Sequence, residues 1–181
     1  MSRSSVDAGD DAIRLLSIYL NDHRAGAAGG RALARRCASS NDGRELGRYL
    51  TEEFLPEVER ERAVLDRVRS RFDVRDDRIK QGVARAAELA GRLKRNGRMT
   101  GYSPLSRIVE LEGLIGAVTA KRQLWRALAL LARRGELDEH ADGPGFDELI
   151  RRADEQRERL EGLHAVAVVD ALGFPEADPD E

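Results

Sequence analysis

Apolar residues recur at helical spacing along most of the chain, and no stretch alternates as a strand would. The densest run is 104–134. Read at about 100° per residue, Ile108, Leu111, Ile115, Val118 and Trp125 form one stripe, with Leu124, Leu128 and Leu131 forming a second beside it. Gly113, Gly116, Ala117, Ala120 and Ala127 make a strip of small residues on the remaining side. A helix that is apolar or small over most of its circumference belongs in the middle of a bundle. At about 45 Å long, this one is the expected organiser and the expected most buried helix. Ser103 as cap and Pro104 at the first helical position mark its start.

The same reading predicts four further helices. One runs over 11–37, its inward line holding Leu15/Leu16, Tyr19, Asp22/His23, Gly26, Gly30, Leu33 and Cys37. Glycines inside a helix cost roughly 1 kcal/mol each relative to Ala, so Gly26, Gly29 and Gly30 point to close approach of a neighbouring helix. After a turn at 39–43, a second helix runs over 45–72 with a kink at Pro56. Its inward line is Leu46, Leu50, Glu53, Glu57, Glu61, Val64, Val68 and Phe72. A short, Ala-rich helix is expected over 77–96 and a last one over 146–172, with core positions Leu149, Ala153, Gln156, Leu160, Leu163 and Ala167. The expected fold is all-α: an antiparallel four-helix bundle with an additional shorter helix, five helices in all. It forms a single domain over 11–174, between a disordered N-terminus at 1–10 and an acidic disordered tail at 175–181.

Composition narrows the function classes. Of 181 residues, 35% are charged and only 4% aromatic, with a net charge of −2. Basic and acidic residues are interleaved, which leaves no field for nucleic acid. No 18-residue apolar run exists to insert into a membrane, and Cys37 is the single cysteine, so a reducing cytoplasm is the expected location. No Walker, Rossmann or nucleophile-elbow pattern is present, and catalysis is not expected.

The most informative constellation is polar. If the turn near 40–41 folds the first two helices antiparallel, Asp22 and His23 stand level with Val58–Glu59, within a turn of Glu57 and Glu61. Charged groups in a core must be paired, protonated or metal-bound. Two closures follow: a divalent cation held by Asp22, His23, Glu53 and Glu57, or arginines from Arg24, Arg60 and Arg62. Arg60, three residues after Glu57, favours the second, with an arginine within salt-bridge distance of Glu57, Glu53 or Asp22.

Glu161-Gly162-Leu163-His164 on the last helix, together with long antiparallel helices and a polar mid-layer, resembles the ferritin-like superfamily. The stretch GYSPLSRIVELEGLIGAVTAKRQLW is also similar to uncharacterised bacterial ferritin-like proteins. In di-iron members two helices each give a Glu and two others each give Glu-x-x-His. The resemblance therefore implies iron or manganese at a site drawn from Asp22, His23, Glu53, Glu57, Glu161 and His164. The chain departs from that pattern at several points: Glu57 is followed by Arg60 and Glu53 by Pro56 where a His would stand, and Glu161 falls beside Lys121, which suggests an ion pair.

The remaining polar residues read as structural. His164 has the spacing of a hydrogen-bonded core histidine, His140 falls in an acidic loop, and Cys37 reads as a buried thiol despite Arg35 and Arg36 beside it. Glu110 and Lys121 read as solvated charges. The expected function is a non-catalytic interaction or stress-associated protein that self-associates. The alternatives are a metal-binding redox or storage protein and a regulatory module that presents an apolar helix face to a protein partner. Self-association is expected because Val166, Val168, Val169 and Leu172 point in more directions than one bundle face buries.

Overall fold

The computed structural model describes residues 3–72, 102–138 and 143–173. Among these the chain is helical, without strands, and forms four helices: α1 at Arg3–Ser40, α2 over 45–70, α3 at Pro104–Arg133 and α4 at Phe146–Leu172. The predicted helix at 77–96, the 175–181 tail and His140 lie outside the described residues. No helix among the described residues is long and apolar enough to cross a membrane.

The helix starts and stops have local causes. Ser103 accepts a hydrogen bond from the Ser106 amide at 3.2 Å and Pro104 opens α3, as the sequence predicts. The end of α1 is held by Asn41, whose amide and side chain both donate to the Cys37 carbonyl, at 3.1 and 2.8 Å. Gly43, at φ 75, then turns the chain into α2. A Cβ at Gly47 would run into the Asn41 carbonyl, so the turn and the first turn of α2 are in direct contact. At its other end, α1 starts at Arg3 rather than Asp11. Nothing in the polar N-terminal stretch breaks a helix, and elongation adds one hydrogen bond for each residue fixed.

α2 is a continuous helix in three sections: an α-helical Glu45–Tyr49, a π-helical Leu50–Phe54 and an α-helical Leu55–Ser70. Pro56 has no amide to donate, and its ring would crowd the carbonyl four residues back. The wider π turn just before it absorbs that conflict, with the Leu55 amide donating to the Leu50 carbonyl. The predicted kink at Pro56 is therefore a π turn. It also changes which side chains face inward: Phe54 is buried and Glu53 is exposed.

Cross-helix pairs set the directions. Asn21 meets Arg69, Arg24 meets Asp66 and Arg31 meets Glu59, so α1 and α2 are antiparallel. Arg107 meets Asp170, Lys121 meets Gln156 and Arg122 meets Asp154, so α3 and α4 are antiparallel. A Cβ at Gly30 would lie 3.4 Å from that of Ala117, one at Gly113 would lie 2.9 Å from Leu33, and Arg36 pairs with Glu110; α1 and α3 are antiparallel too. It follows that α2 and α3 run in the same direction, and α3 begins at the end of the molecule opposite to where α2 finishes. The predicted close approach is made at Gly30, whereas Gly26 is exposed with open space around it.

Two apolar clusters fill the interior. One gathers Cys37, Tyr49, Leu50, Phe54, Leu111, Leu114, Val118 and Leu160; the other gathers Leu20, Val64, Leu65, Val68, Leu124, Trp125, Leu128, Phe146 and Leu149. Packing is most extensive between α3 and α4. On α3, Gly116, Thr119 and Ala120 face outward, so the small-residue strip is part of its solvent side.

Trp125 is 1% exposed and stacks on Phe146 with ring centroids 6.3 Å apart, but its indole N–H has no acceptor among the described residues. Trp125→Ala is expected to cost about 3–5 kcal/mol in denaturant unfolding. Trp125→Phe keeps the stacking and removes the unpaired donor, so it is expected to cost no more than about 1–2 kcal/mol.

Candidate functional site

The polar residues inside the molecule form three groups, one of which is the buried Asn21–Arg69 pair that ties α1 to the end of α2, with Arg69 Nη2 2.6 Å from Asn21 Oδ1. Of the other two, the first lies between the two apolar clusters. Glu61 on α2 and Gln156 on α4 are 2% and 3% exposed, and Lys121 on α3 extends its ammonium between Glu61 Oε2 and Gln156 Oε1. The Gln156 amide then donates from Nε2 to Glu57 Oε2 at 2.7 Å and to Glu61 Oε1 at 3.2 Å. Three helices thus contribute to one hydrogen-bonded layer in which the amide is oriented by a donor on one side and carboxylates on the other. Tyr49 lies beside this layer, with the Arg159 guanidinium 5.6 Å from its ring centroid. Burial holds its phenol above the ordinary range, and the nearby carboxylates of Glu57 and Glu53 add to the shift.

The second group closes the end of the molecule near the α1–α2 turn. Glu110 on α3 is 5% exposed and accepts from Arg36 Nε at 2.8 Å and from the Tyr102 hydroxyl at 3.0 Å. Asn41 donates to the Tyr102 hydroxyl at 2.8 Å and accepts from Arg107 Nε at 2.8 Å, while Arg107 reaches Asp170 on α4. Cys37 is fully buried against this group. Burial first, and then the Glu110 carboxylate, push its thiol up to about 12. Arg35 and Arg36 do not activate it, in line with the reading of an inert thiol.

The predicted layer of Asp22, His23, Glu53 and Glu57 does not assemble. Asp22 and Glu53 are exposed. His23 is half-buried, edge-on to Tyr19 with ring centroids 4.5 Å apart, and burial pushes its imidazole below its ordinary value against the pull of Asp22. The cause is register: Arg24 stands opposite Asp66 and Arg31 opposite Glu59, so Asp22 faces the last turn of α2 and not its middle. Glu57 does point inward, but to Gln156. Arg60 is exposed and makes none of the ion pairs found among the described residues, so the expected arginine closure is replaced by Lys121. Arg24, Arg31 and Arg62 instead form a ladder with Glu59 and Asp66 along the α1–α2 seam.

The Glu161-x-x-His164 motif is split as well. Glu161 is exposed and pairs with Arg157 at 2.7 Å on its own helix, not with Lys121. His164 is half-buried with Nε2 3.5 Å from Glu112, and that nitrogen has no hydrogen-bond partner among the described residues. Among the described residues no three His, Cys, Asp or Glu side chains converge. The residues present therefore do not fit the iron or manganese centre that the resemblance implies: the inward carboxylates are already bonded to an ammonium and an amide.

Sequence reading missed the buried or half-buried Lys121, Glu110, Asn41, Arg107, Asn21 and Arg69, and the exposed Tyr102 that bonds to Asn41 and Glu110. A signal existed for two of them. Glu110, Leu114, Val118, Lys121, Leu124 and Leu128 lie on one line at steps of three and four, so both charges stand on the inward edge of α3.

Two measurements follow for Cys37. In the native protein at pH 8 it is expected to resist iodoacetamide, reacting fully only in denaturant. Because its folded-state value lies above the unfolded one, the folded chain keeps a proton that the unfolded chain releases at high pH. Its contribution to stability is thus complete below the ordinary thiol range and is lost as pH rises toward about 12. Cys37→Ala should flatten the alkaline arm of the stability profile. The chain matches no family model, no curated protein and no solved structure.

Proposed function

We propose that this protein is a non-catalytic, ferritin-like antiparallel four-helix bundle that acts by association, first of all with a second copy of itself. Helix direction supports the bundle reading: α2 and α3 run the same way, and a single long crossover between the second and third helices distinguishes ferritin-like folds from up-down bundles. The donor chemistry of the mid-layer supports a role other than metal catalysis, since its inward oxygens already bind Lys121 and Gln156.

The observation that carries the association reading is an apolar stripe on the outer face of α4. Val166, Val169 and Leu172 are 58%, 69% and 57% exposed, and Leu105 at the facing end of α3 is 48% exposed. Gly162 continues the stripe toward the N-terminal end of α4, with open space where a Cβ would stand. The stripe is therefore small at one end and bulky at the other. An antiparallel second copy would seat Leu172 over Gly162 twice, once on each side of a two-fold axis. Apolar surface gathered in this way on a charged helix marks a contact.

Light scattering across a wide concentration range is expected to give the mass of a dimer or larger assembly. Val166→Glu with Val169→Glu should shift the protein to monomer with its helical circular dichroism unchanged. A wild-type protein that stays monomeric at all concentrations would overturn self-association and leave the stripe to a different protein.

A further inference from the structure

The turn between α1 and α2 contains an aspartate followed by glycine, Asp42–Gly43, a step that recurs in the chain at Asp142–Gly143. Glycine shields its own amide nitrogen least from the side chain before it, because it has no Cβ. At Gly43 a Cβ would meet nothing within 4 Å, and both residues of the step are exposed. The Gly43 amide donates to Asp42 Oδ1 at 3.0 Å and, among the described residues, to no backbone carbonyl. Aspartates such as Asp66 and Asp154 differ, since the amide that follows each lies inside an α-helix and bonds along it. Asn41, one residue earlier, is 1% exposed and its carboxamide is fully engaged. It donates to the Cys37 carbonyl and the Tyr102 hydroxyl, each at 2.8 Å, and accepts from Arg107 Nε at 2.8 Å. Of the two side chains, only the Asp42 carboxyl is open to attack by the next amide.

We propose that Asp42–Gly43 is a site of spontaneous backbone modification, where the turn closes to a succinimide and reopens to an isoaspartyl linkage that releases the end of α1. The Gly43 nitrogen bonds to Asp42 Cγ, and the amide proton leaves with the hydroxyl of the protonated carboxyl as water. Water then adds to one of the two imide carbonyls. Addition at Cγ restores aspartate. Addition at the main-chain carbonyl carbon breaks its bond to the Gly43 nitrogen, so the chain runs on through Cγ and the main-chain carboxylate becomes the side group. Water is the only co-reactant, and Asp42 borders a surface hollow of about 350 Å³, shared with Arg35, Ser39 and Thr51, that admits it. The product carries one extra methylene inside the turn that the Arg44 amide closes on the Asn41 carbonyl at 3.0 Å. A Cβ at Gly47 would strike that same carbonyl, so the lengthened turn has no room to settle. Asn41 also holds the Cys37 carbonyl, Tyr102 and Arg107, and its displacement opens the cover of the fully buried Cys37. The site does not depend on whether copies of the chain associate.

The test ages the full chain at pH 7.4 and 37 °C beside Asp42→Glu and Asp42→Asn. Glutamate would have to close a less favourable six-membered ring, whereas asparagine closes the same ring as aspartate more readily, by losing ammonia. At intervals each sample is pulsed with iodoacetamide at pH 8 and digested with trypsin, which releases 37–44 as one peptide holding both Cys37 and the Asp42–Gly43 step. Asp142–Gly143 and Asn96–Gly97 fall in other tryptic peptides. Chromatography separates the aspartyl and isoaspartyl forms, and an isoaspartyl methyltransferase with radiolabelled S-adenosylmethionine identifies the second. Wild type is expected to accumulate the isoaspartyl peptide without a change in mass. Asp42→Asn should accumulate it severalfold faster, with the mass gain of deamidation, and Asp42→Glu should accumulate none. Cys37 should be alkylated severalfold more in the isoaspartyl peptide than in the aspartyl peptide of the same sample. No conversion in wild type, or conversion an order of magnitude slower than in the free 37–44 peptide, would overturn the site. Conversion at Asn41, marked by a mass gain in wild type, would overturn its assignment to Asp42. Equal alkylation of the two forms would overturn the release of α1.

Discussion

The need of a buried glutamate for a positive charge constrains this interior more than any apolar contact does. Glu61 can occupy the junction of the two apolar clusters only because α3 brings Lys121 to it and α4 brings Gln156. Apolar packing is tolerant of small rotations and shifts of register, whereas a hydrogen-bonded ion pair in low dielectric is not. A slip of one turn along α3 would bury Lys121 among aliphatic side chains and leave Glu61 without a cation. The layer thereby selects one mutual register for α2, α3 and α4, which the Leu- and Val-rich lines on either side would specify only loosely.

The π turn at Leu50–Phe54 belongs to the same problem. Pro56 needs relief from the carbonyl four residues back, and the wider turn supplies it at the point where α2 passes from the first apolar cluster to the polar layer. One consequence is to place Phe54 inside, beside Tyr49, with ring centroids 6.1 Å apart. Another is to turn Glu53 out to solvent, so that it takes no part in the layer of Glu57, Glu61, Gln156 and Lys121.

The Glu110 group does for one end of the molecule what Lys121 does for the middle. Its acceptors and donors come from α1, the α1–α2 turn, the residue that precedes α3, and α3 itself, with Arg107 extending to α4. At the end of α1 the Cys37 and Ala38 carbonyls, left open by the helix, accept from Asn41 in the turn. The group also isolates Cys37: a thiol beside a buried carboxylate is harder to ionise, so the single cysteine is a packing residue of the first apolar cluster.

Sequence alone placed the four helices of the described residues, apart from the early start of α1 at Arg3, because their causes are local. Periodicity, the Ser103–Pro104 start, and the residues flanking Phe146 and Leu172 bound α3 and α4 within a residue of the structure. The inward line of α4 was legible too, Gln156 included, whereas on α3 the stripes omitted Glu110, Leu114 and Lys121. Register between helices was not legible, since it depends on turn geometry. Asn41 and Gly47 meet at the turn, and that contact sets Arg24 against Asp66, carrying Asp22 and His23 away from Glu57 and Glu61. Nor could the sequence show that a π turn would present Phe54 in place of Glu53. The partner of a buried charge is a three-dimensional fact: Glu61 and Lys121 are sixty residues apart, and only the packing of α2 against α3 and α4 decides that an ammonium fills the place where the sequence motifs suggested arginine or metal.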